Sequence, residues 1–167
     1  MKPLNQSPGD LAWQQSDGTR RDSELRHGDE TYALLRWHSA FKAHASGQTA
    51  DGTWKFKLEG FLFKQWVTIH PAGGDEIIAV FQALPSLNGV LEFAHGPSYY
   101  WDSNFWLTKW IWTDAEGSEL MRVHRNLSLK AEGTVEIERQ WAETPEIPLL
   151  TVLGWYLIIL LTDIRLG

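Results

Sequence analysis

Short stretches in which apolar and polar residues alternate make up most of the chain and predict β-strands. In residues 53–59, Trp54, Phe56 and Leu58 occupy one parity and polar residues the other, so an extended chain there has one apolar face. The same alternation occurs at 65–70, 91–93 and 134–140. Hairpin signals at this spacing predict a meander that forms either a barrel or a sandwich. The turn-favouring dipeptides are Asp17-Gly18, Gly28-Asp29, Asp51-Gly52, Gly73-Gly74, Asn88-Gly89, Glu116-Gly117 and Glu132-Gly133.

The stretch from residue 99 to residue 112 is bulky on both parities. One parity carries Trp106, Trp110 and Trp112, and the other carries Phe105, Leu107 and Ile111. A single strand with this pattern would be buried on both of its faces. The pattern therefore predicts that another element of the protein covers the second face.

The segment 147–162 departs from the alternation, because it carries no charged residue and is apolar around the whole helical wheel. Pro145 and Pro148 are compatible with a first helical turn. As a helix it would span about 24 Å, which is shorter than the roughly 30 Å hydrocarbon core of a bilayer. We therefore predict a buried central helix at about residues 147–162. A short tail anchor that thins the bilayer is the alternative.

Composition limits the classes of partner. A chain of 167 residues fits one domain over residues 11–167, preceded by a frayed polar tail at residues 1–10. The 10 Trp favour β-structure, and the net charge of -6 argues against nucleic acid as a partner. With 0 Cys, disulfides, thiolate metal sites, palmitoylation and a Cys nucleophile are excluded. No signal-peptide pattern is present, so we expect a cytoplasmic protein unless the C-terminal segment attaches it to a membrane.

Five segments carry, in this order, a resemblance to a known superfamily: DGTWKFKLEGF at 51–61, IIAVFQ at 77–82, LEFAHGPSYYW at 91–101, FWLTKWIWTDAEGSEL at 105–120 and LLTVLGWYLIILL at 149–161. From about residue 11 to its end, the chain resembles the tubby C-terminal domain, the phospholipid scramblases and the plant LURP-one-related proteins. It looks most like their small bacterial members of unknown function. The resemblance implies a closed antiparallel β-barrel of about twelve strands around a central hydrophobic helix.

The resemblance also suggests a ligand class, since tubby-like domains bind phosphoinositide headgroups through basic residues on the outer face of the barrel. Lys55 and Lys57 share one face of a predicted strand, and Lys64 follows the bend at Gly60. Ammonium groups pair with phosphate, so these three lysines are one candidate patch. The competing interpretation is an ordinary solvated strand face, with Glu59 diluting the positive charge. The acylation segment of scramblases is absent, and no stretch matches their calcium segment.

A second basic cluster, at Arg122, His124 and Arg125, follows the Trp-rich region. Arg122 and His124 share a parity, whereas Arg125 has the opposite one. The cluster is either a phosphate site or an ordinary solvent-facing strand.

Motifs for metal binding and catalysis are missing from the sequence. The six His have no compact ligand spacing, and no P-loop, G-x-S-x-G or G-x-G-x-x-G occurs. The acidic segment 113–120 lacks the order of a calcium loop and instead predicts a hairpin turn with positive φ at Gly117. Glu136 and Glu138 share a face that looks simply polar. We expect no cofactor and no catalytic residue.

Three functional hypotheses follow. The first is a non-enzymatic barrel protein that binds a lipid headgroup or a protein partner on its outer surface. The second is an enzyme or small-molecule carrier with a pocket at the barrel rim, since a helix that fills the lumen leaves only the rims for a pocket. The third is a tail-anchored membrane protein. The oligomeric state is left open by the sequence.

Overall fold

The computed structural model describes residues 1–16, 22–39, 43–61, 64–83, 88–126 and 131–165. The strands are β1 (Leu11–Gln15), β2 (Ser23–His27), β3 (Glu30–Ser39), β4 (His44–Thr49), β5 (Gly52–Phe61), β6 (Lys64–Pro71), β7 (Ala79–Ala83), β8 (Gly89–Phe93), β9 (Ser98–Ser103), β10 (Lys109–Asp114), β11 (Glu119–Arg125) and β12 (Gly133–Ile137). Short 3₁₀ turns occur at Leu4–Gln6 and Arg139–Trp141. The helix α1 (Ile147–Ile159) continues as a π-helical turn over Leu160–Arg165.

Antiparallel pairing joins each strand to the next one along the chain and closes the sheet on itself. The closure is made by β12 and β1, where Leu11 pairs with Val135. The predicted closed antiparallel barrel is therefore confirmed, and the sandwich alternative is wrong. Closure leaves no free sheet edge, which is how a barrel avoids the edge-to-edge aggregation that open sheets risk.

The central helix is also confirmed. All thirteen residues of α1 are buried, and the helix packs most extensively against β4 and β3. Inside the closed barrel, an all-round apolar helix finds apolar side chains on every side. Within the described residues, no helix combines the length and apolarity needed to cross a bilayer.

Two polar contacts tie α1 to the barrel wall. The Trp112 indole N–H donates to the backbone carbonyl of Leu150 at 3.0 Å, and the Tyr156 hydroxyl donates to the carbonyl of Ala43 at 2.7 Å. Each bond satisfies a polar group that would otherwise be buried without a partner. The Trp155 ring stacks on Trp13 with a centroid separation of 5.5 Å. Because these contacts come from β1, from β10 and from the residue before β4, they fix both the depth and the rotation of the helix.

Glycines make room for the helix inside the barrel. A Cβ on Gly133 of β12 would lie 2.8 Å from the Trp155 ring and 2.4 Å from the carbonyl oxygen of His124. A Cβ on Gly89 of β8 would lie 2.1 Å from the Phe81 ring. The prediction that both glycines lie in turns is wrong, since both are buried strand residues. Gly28 and Gly117 do have the positive φ that tight turns require, at 60° and 86°.

The stretch 99–112 is not one double-faced strand. It comprises β9, a turn and β10, with Trp101 paired with Trp112 across the hairpin. Phe105 and Trp106 lie in the turn and are exposed rather than buried. The premise that residues 99–112 form one strand buried on both faces is therefore wrong. The helix instead faces the inward side of both β9 and β10.

The barrel has two distinct ends. At one end the carboxylate of Glu146, which precedes α1, lies against the hydroxyl of Tyr99 at the start of β9. At the other end Arg125, the last residue of β11, contacts the hydroxyl of Thr162 just after α1. We call this second end the α1 C-terminal rim. The tips of the β5–β6 and β9–β10 hairpins also lie at this rim.

The first ten residues, expected to form a frayed tail, contact the barrel. Leu4 is buried and belongs to the core cluster. The Lys2 ammonium lies 2.6 Å from the Glu30 carboxylate, and the Lys2 backbone N–H donates to Thr31. The hydrogen bond from Lys2 lowers the pKa of Glu30.

Candidate functional site

Lys55 and Lys57 lie side by side on the outer face of β5, as their shared parity predicts. Lys55 pairs with Ser46 of β4 and with His70 of β6. Lys57 pairs with His44 of β4 and with Thr68 of β6. Both lysines are half-buried, which means that their alkyl stems lie along the barrel wall while the ammonium groups reach solvent.

Two further basic residues on β3 extend this surface. Trp37 points into the barrel and stacks on Tyr156, so Arg36 and His38 point outward, and both are exposed. Arg36 pairs with Ser46, the residue that pairs on its other side with Lys55. The His38 imidazole contacts the hydroxyl of Ser46 at 2.5 Å. We call the surface formed by Arg36, His38, Lys55 and Lys57 the basic face.

Sequence reasoning missed the two β3 residues. The residues 30–39 alternate less clearly than those of β5, because Leu34 and Leu35 are adjacent apolar residues of opposite parity. The signal was nevertheless present, since Trp37 is the bulky apolar residue between two basic ones. Placing β3 beside β4, and β4 beside β5, required the registers of two hairpins, which the pattern alone does not supply.

Carboxylates border the basic face on both sides. On the β2 side, the Asp22 carboxylate accepts a hydrogen bond at 2.9 Å from the backbone N–H of Trp37, which lies between Arg36 and His38. Asp75 lies 3.7 Å from the Lys55 ammonium, but its side chain is 97 % exposed, and such exposed pairs contribute little. Glu59 shares the outer face of β5 and is exposed to solvent, one alternation beyond Lys57. Asp22, Asp75 and Glu59 therefore reduce the positive charge at the borders of the basic face.

His70 has a structural role beside the basic face. It is buried, and its Nδ1 lies 3.1 Å from the Asp75 carbonyl, while its Nε2 lies 2.8 Å from the Thr68 hydroxyl. A carbonyl only accepts hydrogen bonds, so Nδ1 is the donor and Nε2 can accept from the hydroxyl. Both ring nitrogens are engaged, so His70 holds the segment after β6 against the barrel.

Lys64 is separated from the other two predicted lysines. It lies at the start of β6 opposite Phe61, exposed at the α1 C-terminal rim. It lies four positions before Thr68, the partner of Lys57, which corresponds to about 13 Å along a strand. The three lysines share the outer surface but do not form one compact cluster.

The second predicted cluster is divided between two faces of β11. Arg122 points outward, where its Nη2 lies 2.6 Å from the Glu119 carboxylate and its strand partner is Glu136. The hydrogen bond that Arg122 donates to Glu119 raises the pKa of Arg122. Outward-facing His124 pairs with Lys109 and Thr134, whereas Arg125 contacts Thr162 at the rim. The predicted parities are confirmed, but the three residues do not converge on one site.

The acidic segment 113–120 forms a hairpin turn, as predicted. The Asp114 carboxylate accepts hydrogen bonds from the backbone N–H groups of Glu116 at 2.9 Å and Ser118 at 2.8 Å. This carboxylate therefore stabilises the turn. Across the ranges that the structure describes, no three His, Asp or Glu side chains come together as a metal site.

The apolar pocket that the described residues form at one rim has little room for a small molecule. At the α1 C-terminal rim an apolar pocket is lined by Leu58, Trp66, Phe81, Trp101, Leu157 and Leu160, among others, and its volume is about 50 Å³. Typical ligand pockets are about 300–1,000 Å³. An open groove of about 400 Å³ lies between residues 4–11 and β12. Its walls present the polar side chains of Ser7, Asp10, Glu136 and Arg139.

Comparisons with known proteins identify no relative. No protein-family model matches the chain, and neither the curated proteins nor the solved structures include a match.

Proposed function

We propose that the protein is a non-enzymatic barrel that binds phosphate-bearing lipid headgroups through its basic face. The observation that carries this proposal is the alignment of Arg36 with Lys55 across three adjacent strands, with Lys57 beside them. Guanidinium and ammonium groups are the side chains that pair best with phosphate oxygens. The ligand class is the one implied by the resemblance to tubby-like domains.

The local charge of this surface supports the proposal, because it is positive whereas the net charge of the whole chain is negative. The chain carries a net charge of -6, yet the basic face presents three permanent cations. Its half-buried lysines also lose less side-chain entropy on binding than fully extended ones would. By contrast, the Arg122 guanidinium already has a carboxylate partner in Glu119. We therefore assign binding to the basic face and not to β11.

The architecture also agrees with membership of the tubby-like superfamily, which is part of this proposal. A closed antiparallel barrel around a buried C-terminal helix is the arrangement that the resemblance implies. The filled lumen explains why binding would take place on the outside. A shared fold does not by itself carry a shared ligand, so the proposal depends on the basic face.

Vesicle co-sedimentation tests the proposal directly. Phosphatidylcholine vesicles with and without a phosphoinositide would be compared for the wild-type chain and for Lys55→Ala/Lys57→Ala. Each lysine near an anionic surface contributes about 1 kcal/mol, so the double variant should bind about 30-fold more weakly. Binding should also weaken as salt is raised, because exposed charges are screened.

Arg122→Ala is the matched control, since it removes an outward-facing cation that Glu119 already engages. It should bind within about twofold of the wild type. The proposal is wrong if the double lysine variant binds the vesicles as well as Arg122→Ala does. It is also wrong if the phosphoinositide does not increase vesicle binding by the wild-type chain. Thermal unfolding of both variants shows whether the barrel is intact.

The pocket at the α1 C-terminal rim gives little support to the rim-pocket alternative, whereas the open groove of about 400 Å³ between residues 4–11 and β12 falls within the usual range of ligand sites. The pocket at the α1 C-terminal rim holds about 50 Å³, which is several times less than the volume of usual ligand sites.

A further inference from the structure

The most exposed aromatic side chains of the described residues all lie at the α1 C-terminal rim. Phe61 is 79 % exposed at the tip of the β5–β6 hairpin. Phe105 is 89 % and Trp106 is 76 % exposed in the turn between β9 and β10. Exposed apolar side chains gathered at one end of a molecule are typical of a docking surface.

The turn that carries Phe105 and Trp106 is held by an internal network. The Asn104 side chain accepts hydrogen bonds from the backbone N–H groups of Thr108 at 2.9 Å and Lys109 at 3.2 Å. Its amide also donates to the Thr108 hydroxyl at 2.9 Å. Leu107 has φ 55° and packs against the core. The network thus turns Leu107 inward and leaves the two aromatic rings pointing away from the barrel.

The two aromatic rings support one another in this position. Their centroids lie 5.2 Å apart with an interplanar angle of 85°, which is a favourable edge-to-face geometry. The turn is therefore ordered by its own contacts while its largest side chains face solvent. Little conformational entropy would be lost when these rings enter an apolar environment.

An apolar pocket lies at the same rim as the two hairpin tips. Leu157, Leu160 and Leu161 at the end of α1 line the rim pocket together with residues of β6 and β9, including Trp66 and Trp101. The β5–β6 and β9–β10 tips are about 19 Å apart along the sheet, since four strand spacings separate them. Lys64 and Lys109 lie at the bases of the two tips.

We infer that the α1 C-terminal rim inserts into the interfacial layer of an anionic bilayer, and that the side chains of Phe105 and Trp106 are the part that enters this layer. Aromatic rings prefer this layer, and nearby lysines complement anionic headgroups. Exposed Glu59 and Asp102 also lie beside the two tips, so the aromatic rings rather than the lysines carry the interaction with the bilayer.

This inference rests on the proposed function. It adds that the protein binds the headgroup of a lipid that is part of a bilayer. Lys57 precedes Phe61 by four residues on β5, a distance of about 13 Å along the strand. Interfacial elements penetrate about 5–10 Å. Insertion of the tips therefore leaves Lys57 near the level of the headgroups.

The absence of Cys from the chain allows a site-specific test of the full-length protein. Phe105→Cys would be labelled with an environment-sensitive fluorophore. Ala115→Cys, in the exposed turn between β10 and β11 at the opposite end, is the matched control. On vesicles of phosphatidylcholine, phosphatidylserine and a phosphoinositide, emission from position 105 should shift to shorter wavelength. Emission from position 115 should not change.

A second, unlabelled variant keeps the test independent of the fluorophore. Phe105→Ser/Trp106→Ser should bind these vesicles at least about tenfold more weakly, because two large apolar side chains are lost. Its affinity for inositol hexakisphosphate, a soluble headgroup mimic, should stay that of the wild type. Lys55→Ala/Lys57→Ala should lose affinity in both assays.

The outcomes separate the two proposals. If the soluble mimic binds through the lysines but position 105 gives no shift on vesicles, insertion is overturned and the headgroup proposal stands. If position 105 shifts while the lysine variant binds normally, insertion stands and the headgroup proposal fails. If the serine variant converts a dimer to a monomer in light scattering without changing vesicle binding, the rim is a self-association surface and insertion is overturned.

Discussion

Gly47 of β4 lies directly beneath Val152 of α1. A Cβ at position 47 would come within 2.6 Å of a Val152 methyl carbon and 2.9 Å of the Phe56 ring. Real Cβ atoms do not approach so closely, so the helix sits in the barrel only because position 47 has no side chain. Gly47→Ala should therefore destabilise the protein by about 1–3 kcal/mol, as overpacking of a core does. Urea unfolding followed by circular dichroism measures the change.

A double-mutant cycle checks that the clash is with Val152. Val152→Ala alone should cost stability by leaving a cavity. Combined with Gly47→Ala, it should cost less than the sum of the two single changes, because the new methyl group occupies the vacated space. Additive effects would show that the contact between Gly47 and Val152 does not set the position of the helix.

Removal of the helix should prevent folding. A chain ending at residue 144 loses every buried residue of α1, and each large apolar side chain contributes about 1.5–3 kcal/mol. Net stability is only about 5–15 kcal/mol, so the shortened chain should give an unfolded NMR spectrum. A chain ending at Arg165 is the control. A folded, more soluble 1–144 fragment would mean that the helix is not the core of the barrel.

Stability should fall at alkaline pH because of buried tyrosine. Burial raises the pKa of Tyr156, whose hydroxyl donates to Ala43. Above about pH 10 the unfolded chain releases this proton while the folded protein retains it, so the free energy of unfolding decreases by about 1.4 kcal/mol per pH unit. Tyr156→Phe should reduce the pH dependence of the free energy of unfolding by about 1.4 kcal/mol per pH unit, which is the contribution of one proton. Tyr156→Phe should also cost about 1–3 kcal/mol near neutral pH, since the Ala43 carbonyl loses its partner.

Urea titrations at several pH values between neutral and strongly alkaline measure this effect. Tyr100→Phe changes an exposed tyrosine and is the matched control. An identical slope for Tyr156→Phe and the wild type would contradict the prediction.

The N-terminal segment should contribute to stability. Leu4 is only 4 % exposed, so Leu4→Ala should destabilise the protein by about 2 kcal/mol. Asn5→Ala, at an exposed neighbouring position, should have a smaller effect. Differential scanning calorimetry distinguishes the two variants. Equal melting temperatures for Leu4→Ala and the wild type would mean that residues 1–10 form a frayed tail in solution.

The candidate site was only partly predictable. The shared face of Lys55 and Lys57 follows from the two-residue period of a strand, and the structure places them accordingly. The contribution of Arg36 and His38 depends on the register of three strands, which a local pattern does not encode. Likewise, the carboxylate partner of Arg122 appears only when its side chain folds back towards Glu119.

The prediction that residues 99–112 form one buried strand is wrong for a related reason. The residues between Tyr99 and Trp112 are apolar on both parities whether they form one buried strand or a hairpin with exposed rings in its turn. Hydrophobicity does not distinguish these cases. The turn network around Asn104 decides the outcome, because it reverses the chain before Lys109 and leaves Phe105 and Trp106 outside the barrel.

The sequence by itself determined the class of the fold: alternating strands, tight turns and one all-round apolar helix that needs burial on every side. These are local properties, set by side-chain period and backbone sterics. The tertiary structure alone decided barrel closure, the depth at which α1 sits against Gly47 and Gly133, and the gathering of aromatic tips at one rim. Those features depend on contacts between residues far apart in the chain, whose registers are fixed only when the whole core packs together.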